Sequence, residues 1–201
     1  MIMDFSLSCK DYNEKILEFH GIFNYSCPHC GSIRRWSRHG TYDRYLIIIE
    51  SGLLILESLH ILRLLCKSCD HTHAILPREC VPYFIYGVSV ITEILADYYA
   101  EGTPKKPAQH SGISWQCLYS FISRFLMSLH SLEMALREIS YIKPPGTLYS
   151  ILKLIKEHPD VYYHYFKSTK KILFMSRANA PPIHGGTDWK WRIHPPTRHL
   201  K

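Results

Sequence analysis

Cys27-Pro28-His29-Cys30-Gly31-Ser32 and Cys66-Lys67-Ser68-Cys69-Asp70-His71-Thr72 are the two stretches from which the rest of the chain is read. Two residues between paired cysteines let a tight knuckle point both sulfurs inward. Two such knuckles supply a tetrahedral set of thiolates for one Zn2+ ion. One C-x-x-C alone reads equally well as a redox pair; the repetition across a strand-rich insert is what points to a zinc ribbon. Cys27, Cys30, Cys66 and Cys69 are therefore the expected metal ligands, and buried free thiols are the plainer alternative. His29, His71 and His73 lie near them. With four cysteines already in register, these histidines are expected to support the site or sit on the surface.

Between the knuckles the chain reads as strands. Ile33 to Arg38 follows the first knuckle, His39-Gly40-Thr41 suggests a turn, and Tyr42 to Glu50 and Leu53 to Leu65 form a hairpin around Ser51-Gly52. The hairpin returns the chain to Cys66 beside the first knuckle. Arg34, Arg35 and Arg38, with Trp36 among them, would give a cationic, partly aromatic face suited to phosphate contact, with surface solubility as the duller explanation.

The chain has 201 residues, 46% hydrophobic and 20% charged, enough for one or two compact units and a tail. The most apolar run, Tyr45 to Leu65, is broken by Glu50, Ser51, Gly52, Glu57, Ser58, His60 and Arg63, so no membrane span is expected. Without a basic-then-apolar leader a reducing, cytoplasmic setting is expected, where seven cysteines read as four ligands plus Cys9, Cys80 and Cys117. The net charge of +7 sits entirely in residues 165–201, which carry eight basic residues against Asp188 alone. Such a tail suits a polyanion, or simply keeps the chain soluble.

Ahead of the first knuckle, Tyr12, Ile16, Leu17 and Phe19 give a weak helical pattern over Tyr12 to His20. Beyond the second, Val88, Ile91, Ile94, Leu95 and Tyr98 recur at helical spacing from Tyr86 to Ala100, where Gly102 closes the helix. A short helix over residues 104–110 follows, then the turn Ser111-Gly112-Ile113, with Ser114 as N-cap of a helix to about His130. That order is helix-turn-helix. Ile113, Leu118, Phe121, Ile122 and Phe125 would face the core. Trp115, Gln116, Tyr119, Ser120, Ser123 and Arg124 would face outward, equipped for base edges and phosphates, and Lys105 and Lys106 for the DNA backbone. A plain helical bundle with Trp115 and Tyr119 packed inside is the competing arrangement. Helix continues over Leu129 to Ile142, Pro144-Pro145-Gly146 breaks it, and Thr147 to His158 reads as a further amphipathic helix capped by Thr147.

Cys-Pro-x-Cys-Gly-Ser, the Arg-His-Gly turn, the strand into Cys-x-x-Cys, the Thr-His-x-x-Leu-Pro run and Pro82-Tyr83 resemble the N-terminal zinc-ribbon region of bacterial insertion-sequence transposases. They are similar also to short uncharacterised stand-alone proteins built from the same parts. The likeness covers roughly Tyr25 to Ser128 and implies recognition of double-stranded DNA, beside a protein partner of a transposition complex. Transposase chemistry uses three carboxylates on a strand-rich domain. After the helical unit only Glu133, Glu138, Glu157, Asp160 and Asp188 remain, in a segment of helical pattern, so no enzymatic activity is expected.

The expected fold class is α+β: a small β zinc ribbon, then an α-helical helix-turn-helix unit, then a basic, poorly ordered C-terminal tail. The boundaries are a lead-in helix over 1–24, the ribbon over 25–82, the helix-turn-helix over 83–142, an accessory helix over 143–164 and the tail over 165–201. The expected function is zinc-dependent DNA binding as a transposon-associated recognition module, a truncated transposase or accessory factor. A zinc-ribbon protein-interaction adaptor or transcriptional regulator is the alternative. The DNA target and the oligomeric state are not legible in the sequence.

Overall fold

The structure, a computed structural model, describes residues 1–18, 24–100, 113–138, 146–158 and 160–175. The chain divides into two compact units, Met1–Val90 and Ile91–Lys201. The fold is α+β, with a four-stranded mixed sheet and five helices among the described residues.

The first unit is built on a long hairpin. Strands β2 (Trp36–Glu50) and β3 (Leu53–Cys66) pair antiparallel along their whole length, from Trp36 opposite Cys66 to Glu50 opposite Leu53. Ser51 and Gly52 turn the chain with φ of 51° and 79°. Two left-handed residues in a two-residue loop match the natural twist of the flanking strands. The expected reversal at His39-Gly40-Thr41 is absent. The strand runs straight through, with a register shift between Arg38 and Gly40, and Gly40 has φ of 142°. One extra residue is absorbed as a bulge, which bends a strand without turning it back. The strand expected from Ile33 also begins later, at Trp36, because Arg34 takes a positive φ of 62° and interrupts extended backbone.

β4 (Thr72–Pro77) pairs antiparallel with Arg63–Leu65, and β1 (Ile2–Asp4) lies parallel to β4 at Ile75–Pro77, giving the order β1-β4-β3-β2. The first residues of the chain are thus a sheet strand and not merely part of a lead-in helix. Helix α1 (Cys9–Glu18) starts three residues before the expected position, where the Ser8 hydroxyl accepts the Asp11 N–H at 3.2 Å. Tyr12 and Ile16 are fully buried, as their spacing requires. The Tyr12 hydroxyl donates to the Ile75 carbonyl at 2.6 Å and accepts the Leu62 N–H at 3.2 Å, tying the helix to two strands. Asn13 caps the side of β3 away from β2, donating to the Ser58 carbonyl at 2.7 Å and accepting the His60 N–H at 2.9 Å. The opposite edge, on β2, is covered by residues 85–89. Ile47 donates to Ile85, Gly87 to Ile47, and Ile49 to the Ser89 hydroxyl. Gly87 is required there, since a Cβ would stand 3.1 Å from Ile48 Cγ2 and 3.2 Å from the Glu79 carbonyl.

α2 (Val88–Ala100) starts at the end of the first unit and buries Val88, Ile91, Ile94 and Leu95 of the stripe read from the sequence, while Tyr98, its fifth member, is half-buried. In the second unit, α3 (Trp115–Glu138) is a single helix of 24 residues. The Ser114 hydroxyl accepts the Cys117 N–H at 3.2 Å, the capping role expected of it. Leu118, Phe121, Ile122 and Phe125 are buried, and the stripe continues through Leu132, Ala135 and Leu136. α4 (Leu148–Glu157) is capped by Thr147, whose side chain accepts the Ser150 N–H. α5 (Asp160–Thr169) packs on α3 and α4 through Val161, Tyr162 and Tyr165. Leu173 and Phe174 are also fully buried, with Phe174 against Phe125 at 6.3 Å between ring centroids. Residues 165–175 are therefore folded and apolar-anchored, where the sequence places the start of the tail. The short helix over 104–110, its turn at 111–112, Lys105, Lys106 and the basic residues beyond 175 lie outside the described residues. Among the described residues no helix is long and apolar enough to cross a membrane.

Candidate metal centre

The two knuckles repeat one backbone design. The N–H of Gly31 bonds to the Cys27 carbonyl and that of Asp70 to the Cys66 carbonyl, both at 2.8 Å. Cys27 N–H bonds to Ser32 and Cys66 N–H to His71, at 2.8 and 3.0 Å, at matching offsets. Gly31 and Asp70 both have positive φ, 75° and 55°. A left-handed residue after the second cysteine of each pair curls the loop so that both sulfurs face the same side; glycine and aspartate tolerate that conformation. The first loop is closed by an isolated bridge between Ser26 and Ile33, the second by the β3–β4 connection.

The four sulfurs meet. Cys27 and Cys69 stand 3.7 Å apart, as do Cys30 and Cys66, and all four lie within 4.8 Å of one another. Sulfurs bonded to one zinc at about 2.3 Å in a tetrahedron stand about 3.8 Å apart. The cysteines are all free thiols, well beyond disulfide length. The donor set is soft, sulfur-only and closed, which suits a structural metal and leaves no open position for substrate.

Neighbouring groups favour the charged sulfurs unequally. The Ser32 hydroxyl lies 3.1 Å from Cys30 Sγ and 3.2 Å from Cys66 Sγ. It holds the Cys66 thiol down at about 6, and it is also the main cause lowering Cys30. Burial pushes Cys69 up to about 12. A divalent cation among the four removes that disparity, because a coordinated thiol ionises outright. Behind the cluster, His73 is buried and places Nε2 at 3.5 Å from Cys27 Sγ and Nδ1 at 3.2 Å from the Met1 amine. Burial lowers its pKa, so the neutral ring donates through one nitrogen and accepts through the other. His29 and His71 lie over Cys69, and their ligand atoms with its sulfur also fall within 4.8 Å. Their rings are stacked, centroids 3.6 Å and planes 17° apart. In-plane lone pairs on parallel rings run side by side and do not converge on one ion, so this trio does not form a second metal site as it stands.

The residues read as DNA contacts are distributed as follows. Arg34, Arg35 and Arg38 are exposed. Trp36 is not part of their face: it is buried, donates Nε1 to the Tyr25 carbonyl at 2.8 Å and meets His73 edge-on. Its position opposite Cys66 at the foot of the hairpin turns it under the knuckles. Lys67, which no sequence pattern singles out, is exposed, and its N–H donates to the Arg35 carbonyl at 2.7 Å. The two knuckles thereby bring Arg35 and Lys67 together, a juxtaposition visible only once the cysteine pairs are superposed.

In the second unit Trp115 and Gln116 are exposed, while Tyr119, Ser120, Ser123 and Arg124 are half-buried. Trp115 stacks on Tyr119, centroids 6.0 Å apart. Arg124 is engaged internally, donating to Ser120 Oγ at 3.2 Å and to the Phe174 carbonyl at 3.4 Å.

Residues 24–114, spanning both knuckles, the hairpin and α2, match a family described as a domain of unknown function (DUF6431). No curated protein and no solved structure matches the chain.

Proposed function

We propose that the chain is a zinc-stabilised nucleic-acid-binding protein in which the four-cysteine centre holds a structural Zn2+ and the basic rim of the knuckles contacts the phosphate backbone of duplex DNA. The observation that carries the reading is the sulfur cluster, whose 3.7 Å separations match tetrahedral zinc–thiolate geometry. Arg34, Arg35 and Lys67, exposed around it, supply charge at short range, and the net charge of +7 supplies it at long range. α3, capped by Ser114 and presenting Trp115 and Gln116, is the candidate for reading base edges in the major groove. The place of such a module in a transposition complex, as a recognition part without a cutting domain, rests on the sequence resemblance.

Metal analysis of the purified chain should return one zinc per chain, and duplex DNA should bind with an affinity that falls steeply as salt rises. Replacing Arg34, Arg35 and Lys67 together by alanine should weaken binding and reduce the slope of log K against log salt by roughly 0.9 for each phosphate that is no longer neutralised. Binding that ignores both salt and these residues would remove the DNA reading while leaving the zinc site intact.

A further inference from the structure

The seven thiols differ in how far water and small oxidants can reach them. Cys9, Cys27, Cys66 and Cys80 are buried, Cys69 and Cys117 are half-buried, and Cys30 alone is exposed. That sulfur also has a partner. Cys30 Sγ lies 3.7 Å from Cys66 Sγ, thirty-six positions away along the chain, and the Ser32 hydroxyl touches both, at 3.1 and 3.2 Å. Cys27 and Cys69 face each other in the same way at 3.7 Å, with His73 Nε2 at 3.5 Å from Cys27. Both contacts run from one knuckle to the other. Disulfide sulfurs stand about 2.05 Å apart, so a closing movement of less than about 2 Å would join Cys30 to Cys66.

We infer that Cys30 is a site of oxidation by hydroperoxides, and that the product is a Cys30–Cys66 disulfide which replaces the metal as the tie between the two knuckles. The inference rests on the zinc reading given above. A metal-bound cysteine is already a thiolate, so access decides which of the four sulfurs reacts first. Cys30 Sγ attacks one oxygen of the peroxide and the O–O bond breaks. The other oxygen leaves as hydroxide, which takes a proton to become water, and Cys30 is left as a sulfenic acid. The Cys66 thiolate then attacks the Cys30 sulfur, and the hydroxyl departs as hydroxide and is protonated in turn. Two electrons pass from the two sulfurs to the peroxide, giving one disulfide and two waters.

Two of the four donors are thereby spent, and Cys27 with Cys69 does not complete a tetrahedral set, so oxidation releases the ion. The knuckles stay joined. The new bond closes the chain between the positions the metal held together, and it constrains the unfolded chain as the metal did. Oxidation and chelation therefore have different structural outcomes, although both leave the chain without zinc.

Hydrogen peroxide added stepwise to the zinc-loaded full chain, with a colorimetric chelator reporting free zinc, tests this. One zinc should be released for each disulfide formed. Alkylation of the remaining thiols followed by trypsin reads the connectivity, because Lys67 separates Cys66 from Cys69 and fragmentation distinguishes Cys27 from Cys30. The expected first product links Cys30 to Cys66. Hydrogen exchange should show residues 24–36 and 64–75 still protected once peroxide has removed the zinc, and unprotected once a chelator has removed it from the reduced chain. Cys30→His, which keeps a donor set of three cysteines and one histidine, should slow peroxide-driven release at least tenfold, whereas Cys117→Ser should leave it unchanged. Should the histidine variant not hold zinc, the disulfide map and the exchange comparison still decide, since both use the unaltered chain. Zinc retained under peroxide overturns the inference. So does a first disulfide within one knuckle or one that includes Cys9, Cys80 or Cys117, release that Cys30→His does not slow, or protection lost alike on oxidation and chelation. A chain that purifies without zinc under reducing conditions overturns instead the zinc reading beneath it.

Discussion

Ser32 does more at the candidate metal centre than its place beside the second knuckle cysteine suggests. A single hydroxyl reaches two sulfurs from different knuckles, and both thiols are lowered chiefly on its account. Metal and protons compete for the same sulfurs, so whatever favours the thiolate protects the bound ion against acid. In Ser32→Ala that help is gone, the thiol pKa values rise, and protons displace the metal sooner on acidification. The expected outcome is zinc release at a pH about one unit higher than in the parent chain, followed with a colorimetric zinc chelator. An unmoved release profile would mean the hydroxyl is a bystander.

At the scale of elements, the β2–β3 turn sets the register of the hairpin, and with it which face of the strands is buried. Gly52 at φ 79° and Ser51 at 51° must both stay left-handed. Gly52→Val should destabilise the first unit by about 1–2 kcal/mol, because a β-branched residue resists that conformation. Ser51→Asn should raise stability slightly, asparagine tolerating it better than serine; thermal unfolding measures both. The turn is legible because Ser-Gly interrupts two apolar runs of matched length. Gly40 misleads for a related reason: glycine marks unusual backbone without saying whether the chain reverses or bulges. Tyr12 and Ile16 announce α1, but its start is hidden in Ser8, whose capping role shows only against the helix it begins. β1 has no signature to find, since three residues give no periodicity and their parallel partner lies more than seventy positions away. The sulfur cluster is the most legible feature, and His73 the least, because its link to Cys27 depends on β4 pairing next to the second knuckle.

For the whole molecule, the two units draw on different sources of stability. The second has a stripe of large apolar side chains from Leu118 to Leu136 closed by Tyr165 and Phe174. The first buries Tyr12, Ile16, Leu46, Leu59, Ile61 and Leu64 around the hairpin, but at its foot the two knuckles converge on the four sulfurs. Chelation of the proposed zinc should therefore unfold the knuckle region while α3, α4 and α5 persist. Hydrogen exchange followed by mass spectrometry would show protection falling around residues 24–36 and 64–75 and retained around residues 118–136. A uniform fall across both regions would mean that the units share one cooperative transition.

The parallel pairing of Ile2–Asp4 with Ile75–Pro77 carries a consequence for biosynthesis. Ile2–Asp4 is made more than seventy residues before its neighbour, and finds it only after the whole hairpin and the second knuckle have followed. Until then the nascent chain holds an unmatched strand, so the sheet is completed by the one of its strands that has waited longest.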